Sequence, residues 1–147
     1  IRGPMTGILT ALINTRHEWV FISACDMPFL SRELIEHMAL ARKNTHAVIP
    51  MLKNRAEPLF AFYSRKFISS MERSLLEGEK SLINFLLNHK KRVQYIPSGE
   101  VKLKDPEGRS FINLNTVEDA TGNLSKKDLI KFKNTVSGRT QCLEQRN

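Results

Sequence analysis

The run Trp19-Val20-Phe21-Ile22, continued by Ser23-Ala24-Cys25 and stopped at Asp26-Met27-Pro28, leaves this chain few architectures. A stretch rich in aromatic and β-branched residues, without polar alternation, reads as a strand over 19 to 25 that is covered on both faces. Strands of that kind belong to parallel sheets packed between helices. Open α/β sheets place their ligands outside the carboxyl ends of such strands. Asp26 stands there, so its carboxylate faces a crevice.

The rest of the chain alternates in the same way. "GPMTG" opens a helical pattern in which Ile8, Leu9, Leu12 and Ile13 recur on one face and Pro4 suits a first turn. Ser31 is a good N-cap for a helix over about 32 to 43, with Glu33 in its first turn. "HAVIP" at 46–50 and "PLFAFY" at 58–63 read as strands separated by the polar loop "MLKNRAE". "RKFISSMERSLLEG" reads as a helix ended by Gly78, and "SLINFLLNH" as a helix capped by Ser81. "RVQYIP" and "FINLNT" read as strands, with "PSGE" and "DPEGRS" as turns, and Thr116 opens a capping-box-like helix start with Asp119 three residues on. Strands alternating with helices predict an α/β fold with a mainly parallel sheet. The polar, basic stretch 121–147 predicts a weakly helical or disordered tail, leaving 1–120 as one domain.

Composition narrows the function. No apolar stretch approaches the roughly 20 residues that span a bilayer, and no signal segment opens the chain, so a soluble, cytoplasmic protein is expected. Cys25 and Cys142 lie far apart without CxxC spacing, which indicates neither a disulfide framework nor zinc. The net charge of +8 is spread along the chain with no interleaved aromatic platform. That pattern points away from nucleic acid and equally suits attraction for a phosphorylated small molecule.

Three groups of residues carry candidate chemistry. Asp26 is either a turn or capping carboxylate, or a hard oxygen ligand for Mg²⁺ beside nucleotide phosphates. Asn113 and Asn115 alternate along "FINLNT" and share a face. They either form the turn before Thr116 or grip a polar heterocycle or phosphate. "GPMTG" offers glycines for close backbone approach and a helix N-terminus for an anion, or is merely a turn.

Taken together, "GPMTGILTAL", "FISACDMPFL", "EPLFAFY", "GEKSLINFL" and "FINLNTVEDA" resemble in succession the blocks of the MobA-type nucleotidyltransferases, the molybdenum cofactor guanylyltransferases. The resemblance covers residues 3 to about 120 and rests above all on DMPF combined with N-x-NT-x-ED. It implies a Rossmann-like, three-layer nucleotidyltransferase fold and Mg²⁺-dependent transfer of GMP from GTP to the phosphate of molybdopterin. GTP and molybdopterin are then the partners, with molybdoenzyme-maturation proteins as further ones and no membrane or nucleic acid. Carried over by position, Asp26 is the catalytic, Mg²⁺-binding carboxylate beside the GTP phosphates, and Gly7 is a nucleotide-binding turn glycine. Asn113 and Asn115 line the pterin side, and Lys80, after Gly78-Glu79, contacts a phosphate.

The chain departs from the family at its start. The LAGGxSxRMGxxK phosphate loop is not found, so the resemblance predicts an N-terminally truncated domain without its first βα unit, inactive alone. Met5 and Thr6 replace Leu and Ala, and Val117 replaces Pro. Two other readings remain: a sister enzyme transferring CMP to molybdopterin or using another phosphorylated acceptor, and a non-catalytic pterin-binding module.

Overall fold

The structure, a computed structural model, describes residues 3–112. Its elements are α1 (Pro4–Asn14), β1 (Trp19–Ser23), α2 (Arg32–Leu40), β2 (Ala47–Leu52), β3 (Arg55–Ala56) and β4 (Phe60–Ser64). These are followed by α3 (Ile68–Leu76), α4 (Leu82–Asn88), β5 (Val93–Ile96) and α5 (Ser98–Lys104). Short 3-10 turns at Arg65–Phe67, Lys90–Arg92 and Arg109–Phe111 complete the chain.

Strand alternation divides the core between the two faces of one sheet. Ala47, Ile49, Ala61 and Tyr63 face a layer formed by α1, α3 and α4, whose Met5, Ile8, Leu12, Met71, Phe85 and Leu86 are buried against them. Val48, Phe60 and Phe62 face the opposite layer, where α2 contributes Leu34 and Met38 and α5 contributes Val101. Phe21 sits between the Phe60 and Phe62 rings at centroid distances of 5.0 and 4.9 Å. The result is the three-layer α/β arrangement expected from the sequence.

The sheet runs β1-β4-β2-β3, with β5 on the other side of β2. β1, β2 and β5 share one direction, but β4 lies antiparallel between β1 and β2. The β2·β5 ladder is therefore the one parallel pairing among the described residues. The mainly parallel sheet expected from the sequence thus holds for the direction of these three strands and not for their pairing. The cause is connection length: residues 53–59 between β2 and β4 are too few for a crossover, so the chain must return as a hairpin. Within that stretch the "MLKNRAE" segment is not a plain loop. β2 extends to Leu52, and β3 pairs Ala56 with Met51 around a turn in which Lys53 takes φ 53°.

Ser31 caps α2 and Ser81 caps α4, each accepting a backbone N–H three residues on at 3.2 Å. Gly78, at φ 90°, ends the α3 region in the left-handed conformation that glycine favours. The "PSGE" turn proves to be the start of α5. Glu100 in its first turn and Lys102 and Lys104 in its last suit the helix dipole, and Val101 anchors it to the core. The start of "FINLNT" is not a strand either, since Phe111 closes a 3-10 turn, and Ile112 alone is extended. Asn113, Asn115, the Thr116 cap and the 121–147 tail, and with them the 1–120 boundary, lie outside the described residues.

Candidate functional site

β1, β2 and β5 all point their carboxyl ends to one end of the sheet, and the connections bring most of the sequence-predicted positions there. The chain leaves β1 at Ser23 and turns at Cys25 and Asp26, where the Met27 N–H donates to the Ala24 carbonyl at 3.2 Å. Asp26 is half-buried, and no hydrogen bond or ion pair among the described residues engages its carboxylate. It does not cap a helix: Ser31 fills that role for α2. Capping is thereby removed, while the turn that Asp26 occupies and the metal-ligand reading both stand.

The start of β4 reaches the same end. The Ala24 N–H donates to the Leu59 carbonyl at 2.9 Å, and Phe60 is paired with Ser23. Just before it, Pro58 is held by the Tyr63 hydroxyl, which donates to its carbonyl at 2.7 Å. Burial pushes the Tyr63 phenol far above its ordinary value, so it stays a neutral donor. Glu57, next to Pro58, is half-buried, and burial raises its carboxyl above the usual range against the opposing pull of Arg55. In the sequence Glu57 stands inside "EPLFAFY", just before the proline that precedes the strand, and no local signal marks it. It is a second acid at the sheet end that carries Asp26.

On one face of that end lie Gly7 and Lys80. α1 runs antiparallel to β1, so its first turn, with Gly3 as N-cap, sits at the carboxyl end. Gly7 itself is helical, donating its N–H to the Gly3 carbonyl at 3.2 Å, and is not the turn glycine that the sequence implied. Nothing lies within 4 Å of where a Cβ would stand on it. Lys80 is exposed between α3 and α4. Its neighbour Glu79 accepts from the Ser81 N–H at 2.6 Å and the Asn84 amide at 3.2 Å, and these bonds hold Glu79 below the usual carboxylate range.

On the other face, the segment leading to Asn113 is tied to the loop after Asp26. Asp105, almost fully buried, accepts the N–H groups of Arg109 at 3.2 Å and Ser110 at 2.9 Å. The Ser110 hydroxyl in turn accepts the Ser31 N–H at 2.9 Å, and Ser31 Oγ donates to the Lys104 carbonyl at 3.1 Å. Phe111 packs on Phe60, with ring centroids 5.0 Å apart. A cavity of about 770 Å³ lies between these two segments, lined by Pro28 to Glu33, Lys104 to Glu107 and Arg109.

A divalent cation fits this end on donor chemistry. No group of three or more His, Cys, Asp or Glu among the described residues is placed to hold a metal. Mg²⁺ needs no such cage, because one or two carboxylates, substrate phosphates and water complete its octahedron. An unengaged Asp26 carboxylate meets that need.

No helix among the described residues is long and apolar enough to cross a membrane. Comparison with known proteins gives a match of residues 1–93 to the MobA-like NTP transferase domain. A probable molybdenum cofactor guanylyltransferase of Methanosarcina acetivorans is 37% identical over 120 residues, covering 80% of this chain and 52% of its own length. A molybdenum cofactor guanylyltransferase of Desulfosudis oleivorans is 38% identical over 119 residues, covering 80% and 58%. Among solved structures, the molybdopterin-guanine dinucleotide biosynthesis protein A of Archaeoglobus fulgidus superposes with a TM-score of 0.66 at 31% identity, over 80% of this chain and 58% of that one. The chain spans about half the length of the curated relatives it matches.

Proposed function

We propose, from the premise that this chain belongs to the MobA-like NTP transferase family, that it forms part of a guanylyltransferase moving GMP from GTP onto the phosphate of molybdopterin. The names of its relatives support the acceptor and the donor. The observation that carries the reading is Asp26: a half-buried carboxylate without a partner among the described residues, at the carboxyl end of β1. A carboxylate in that position has a ligand to hold.

In this reading Asp26 holds Mg²⁺, which when bound neutralises charge on the triphosphate as the bond to the leaving pyrophosphate breaks. Asp26 would hold that cation beside the α-phosphate, where in-line attack by a molybdopterin phosphate oxygen would form the new P–O bond as pyrophosphate leaves. Lys80 and the first turn of α1, with Gly7, contribute positive charge and open backbone on the nucleotide side. Asn113 and Asn115 hold the pterin, and the Asp105–Ser110–Ser31 hydrogen bonds keep the preceding segment against the loop that carries Asp26.

The test is a transfer assay in which residues 3–112 replace the corresponding segment of the M. acetivorans relative. α-labelled GTP, Mg²⁺ and molybdopterin should yield labelled dinucleotide and pyrophosphate. Preferential transfer from CTP would make it the sister cytidylyltransferase, and pterin binding without transfer from either nucleotide would make it a binding module.

A further inference from the structure

The opposite end of the sheet carries a second concentration of chemistry that the transfer reaction does not use. A cavity of about 510 Å³ opens there between the first turn of α3 and the 3-10 turn that precedes β5. Ser69 and Ser70 supply hydroxyls on one side, Arg73 stands one turn further along α3, and Lys90, Lys91 and Arg92 close the other side. No Asp or Glu lines it. None of these four cations makes an ion pair among the described residues, and all four are exposed.

Topology separates this cavity from Asp26. Arg92 immediately precedes Val93, the first residue of β5, which pairs with Ala47, the first residue of β2. Its carbonyl accepts the His46 N–H at 2.7 Å, and α3 follows the last residue of β4 through one 3-10 turn. The cavity therefore lies at the amino ends of β1, β2 and β5, whereas Asp26 lies beyond the carboxyl end of β1. At about 3.3 Å per residue, strands of this length hold the two ends roughly 15 Å apart.

The positive field reaches inward. His46 is held below the ordinary histidine value, by burial first and then by the charges of Arg92, Lys66 and His89. The neighbouring cavity of about 550 Å³, which shares Ser69, adds Arg16, Arg65 and Lys66, with Glu18 as its one acid, 3.1 Å from the Lys66 amine. So many cations converging with two hydroxyls, in a pocket of small-ligand size, is the donor set that tetrahedral oxyanions take.

We infer that this pocket binds the phosphate groups of a small polyphosphate, inorganic or nucleoside-borne, at a site separate from the nucleotide crevice. The guanidinium of Arg73 and the Lys90–Arg92 cations neutralise the anion, and Ser69 and Ser70 donate to its oxygens.

The experiment titrates the ¹⁵N-labelled 147-residue chain with pyrophosphate, with a nucleoside triphosphate and with a single-stranded oligonucleotide, in Mg²⁺-free buffer at constant ionic strength. Saturable amide shifts at Ser69, Ser70 and Lys90–Arg92 are expected. Arg73→Gln with Lys91→Gln should weaken that binding at least tenfold while the melting temperature stays at the wild-type value, since both side chains are exposed. Equal affinities for pyrophosphate and triphosphate identify an inorganic anion as sufficient ligand; tighter triphosphate binding identifies the nucleotide. Shifts that fail to saturate, that chloride reproduces, or that only the oligonucleotide produces would overturn the assignment, as would wild-type affinity in the double variant. Because Mg²⁺ is absent and the readout is local, failure here leaves the transfer reading standing, and failure of that reading leaves this one standing.

Discussion

Asp26 and His46 show two ways in which a single ionisable group is placed against its ordinary chemistry. Asp26→Asn keeps size and one oxygen but removes the charge that holds a cation. In the transfer-competent chimera it should lower turnover by several orders of magnitude and raise the Mg²⁺ requirement. The ligand-free melting temperature should stay within a few degrees of wild type, because no hydrogen bond to the carboxylate is lost. Normal Mg²⁺ dependence in that variant would remove the metal role. For His46, the folded state holds the imidazole below its ordinary value near 6.5. The unfolded chain then binds more protons than the folded one as the pH falls past that value. The stability contributed by a neutral His46 is complete above about pH 6.5 and is lost as the pH falls through the lower folded-state value. Urea unfolding between about pH 5 and 7.5 should show a shallower loss for His46→Asn than for wild type; parallel profiles would contradict it.

At the scale of elements, the legible parts of the sequence were those with a local physical signal. The Ser31 and Ser81 caps and the Gly78 stop depend on near neighbours and stand as read; the apolar faces hold at Ile8, Leu12, Leu34 and Met38, whereas Ile13, expected on the α1 face, is exposed. What the pattern did not carry was set at a distance. β3 exists because β2 offers it an edge, α5 because Val101 finds a place over β2, and the 3-10 turn at Phe111 because Asp105 collects the N–H groups around it. Of the candidate site, Asp26 was legible from strand termination alone. Its neighbour Glu57 was not, since only the β1·β4 pairing brings "EPLF" to the same sheet end. Two substitutions test these elements. Asp105→Ala strands the buried Ser110 N–H and should cost about 2 kcal/mol, read by denaturant unfolding. A change under about 0.5 kcal/mol would mean the segment is held by Phe111 packing instead. Lys53→Gly relieves a non-glycine residue at φ 53° in the β2–β3 turn and should gain about 0.5 kcal/mol, the left-handed penalty less the entropy glycine adds to the unfolded chain. A loss of stability would show that the Lys53 side chain packs productively.

For the molecule as a whole, the two layers leave the outer edge of β1 without a partner among the described residues, although Val20 and Ile22 pack on one face and Trp19 and Phe21 on the other. An edge that is apolar on both sides is a template for another strand, and the net charge of +8 opposes the approach of a second copy. Association should therefore strengthen as salt screens that repulsion. Sedimentation velocity at about 0.05 and 0.5 M salt should show a larger weight-average species at the higher value, and a single monomer boundary at both would show that the edge is covered. The insertion of β4 between β1 and β2 also bears on how the molecule is born. A ribosome makes β1 more than thirty residues before it makes the strand that β1 must pair with. Until Ser64 has cleared the exit tunnel, β1 and β2 have no common neighbour, so the nascent chain holds both strands unpaired and must close a long loop in one late step. Pauses in translation should be harmful until Ser64 has emerged from the tunnel and harmless after it.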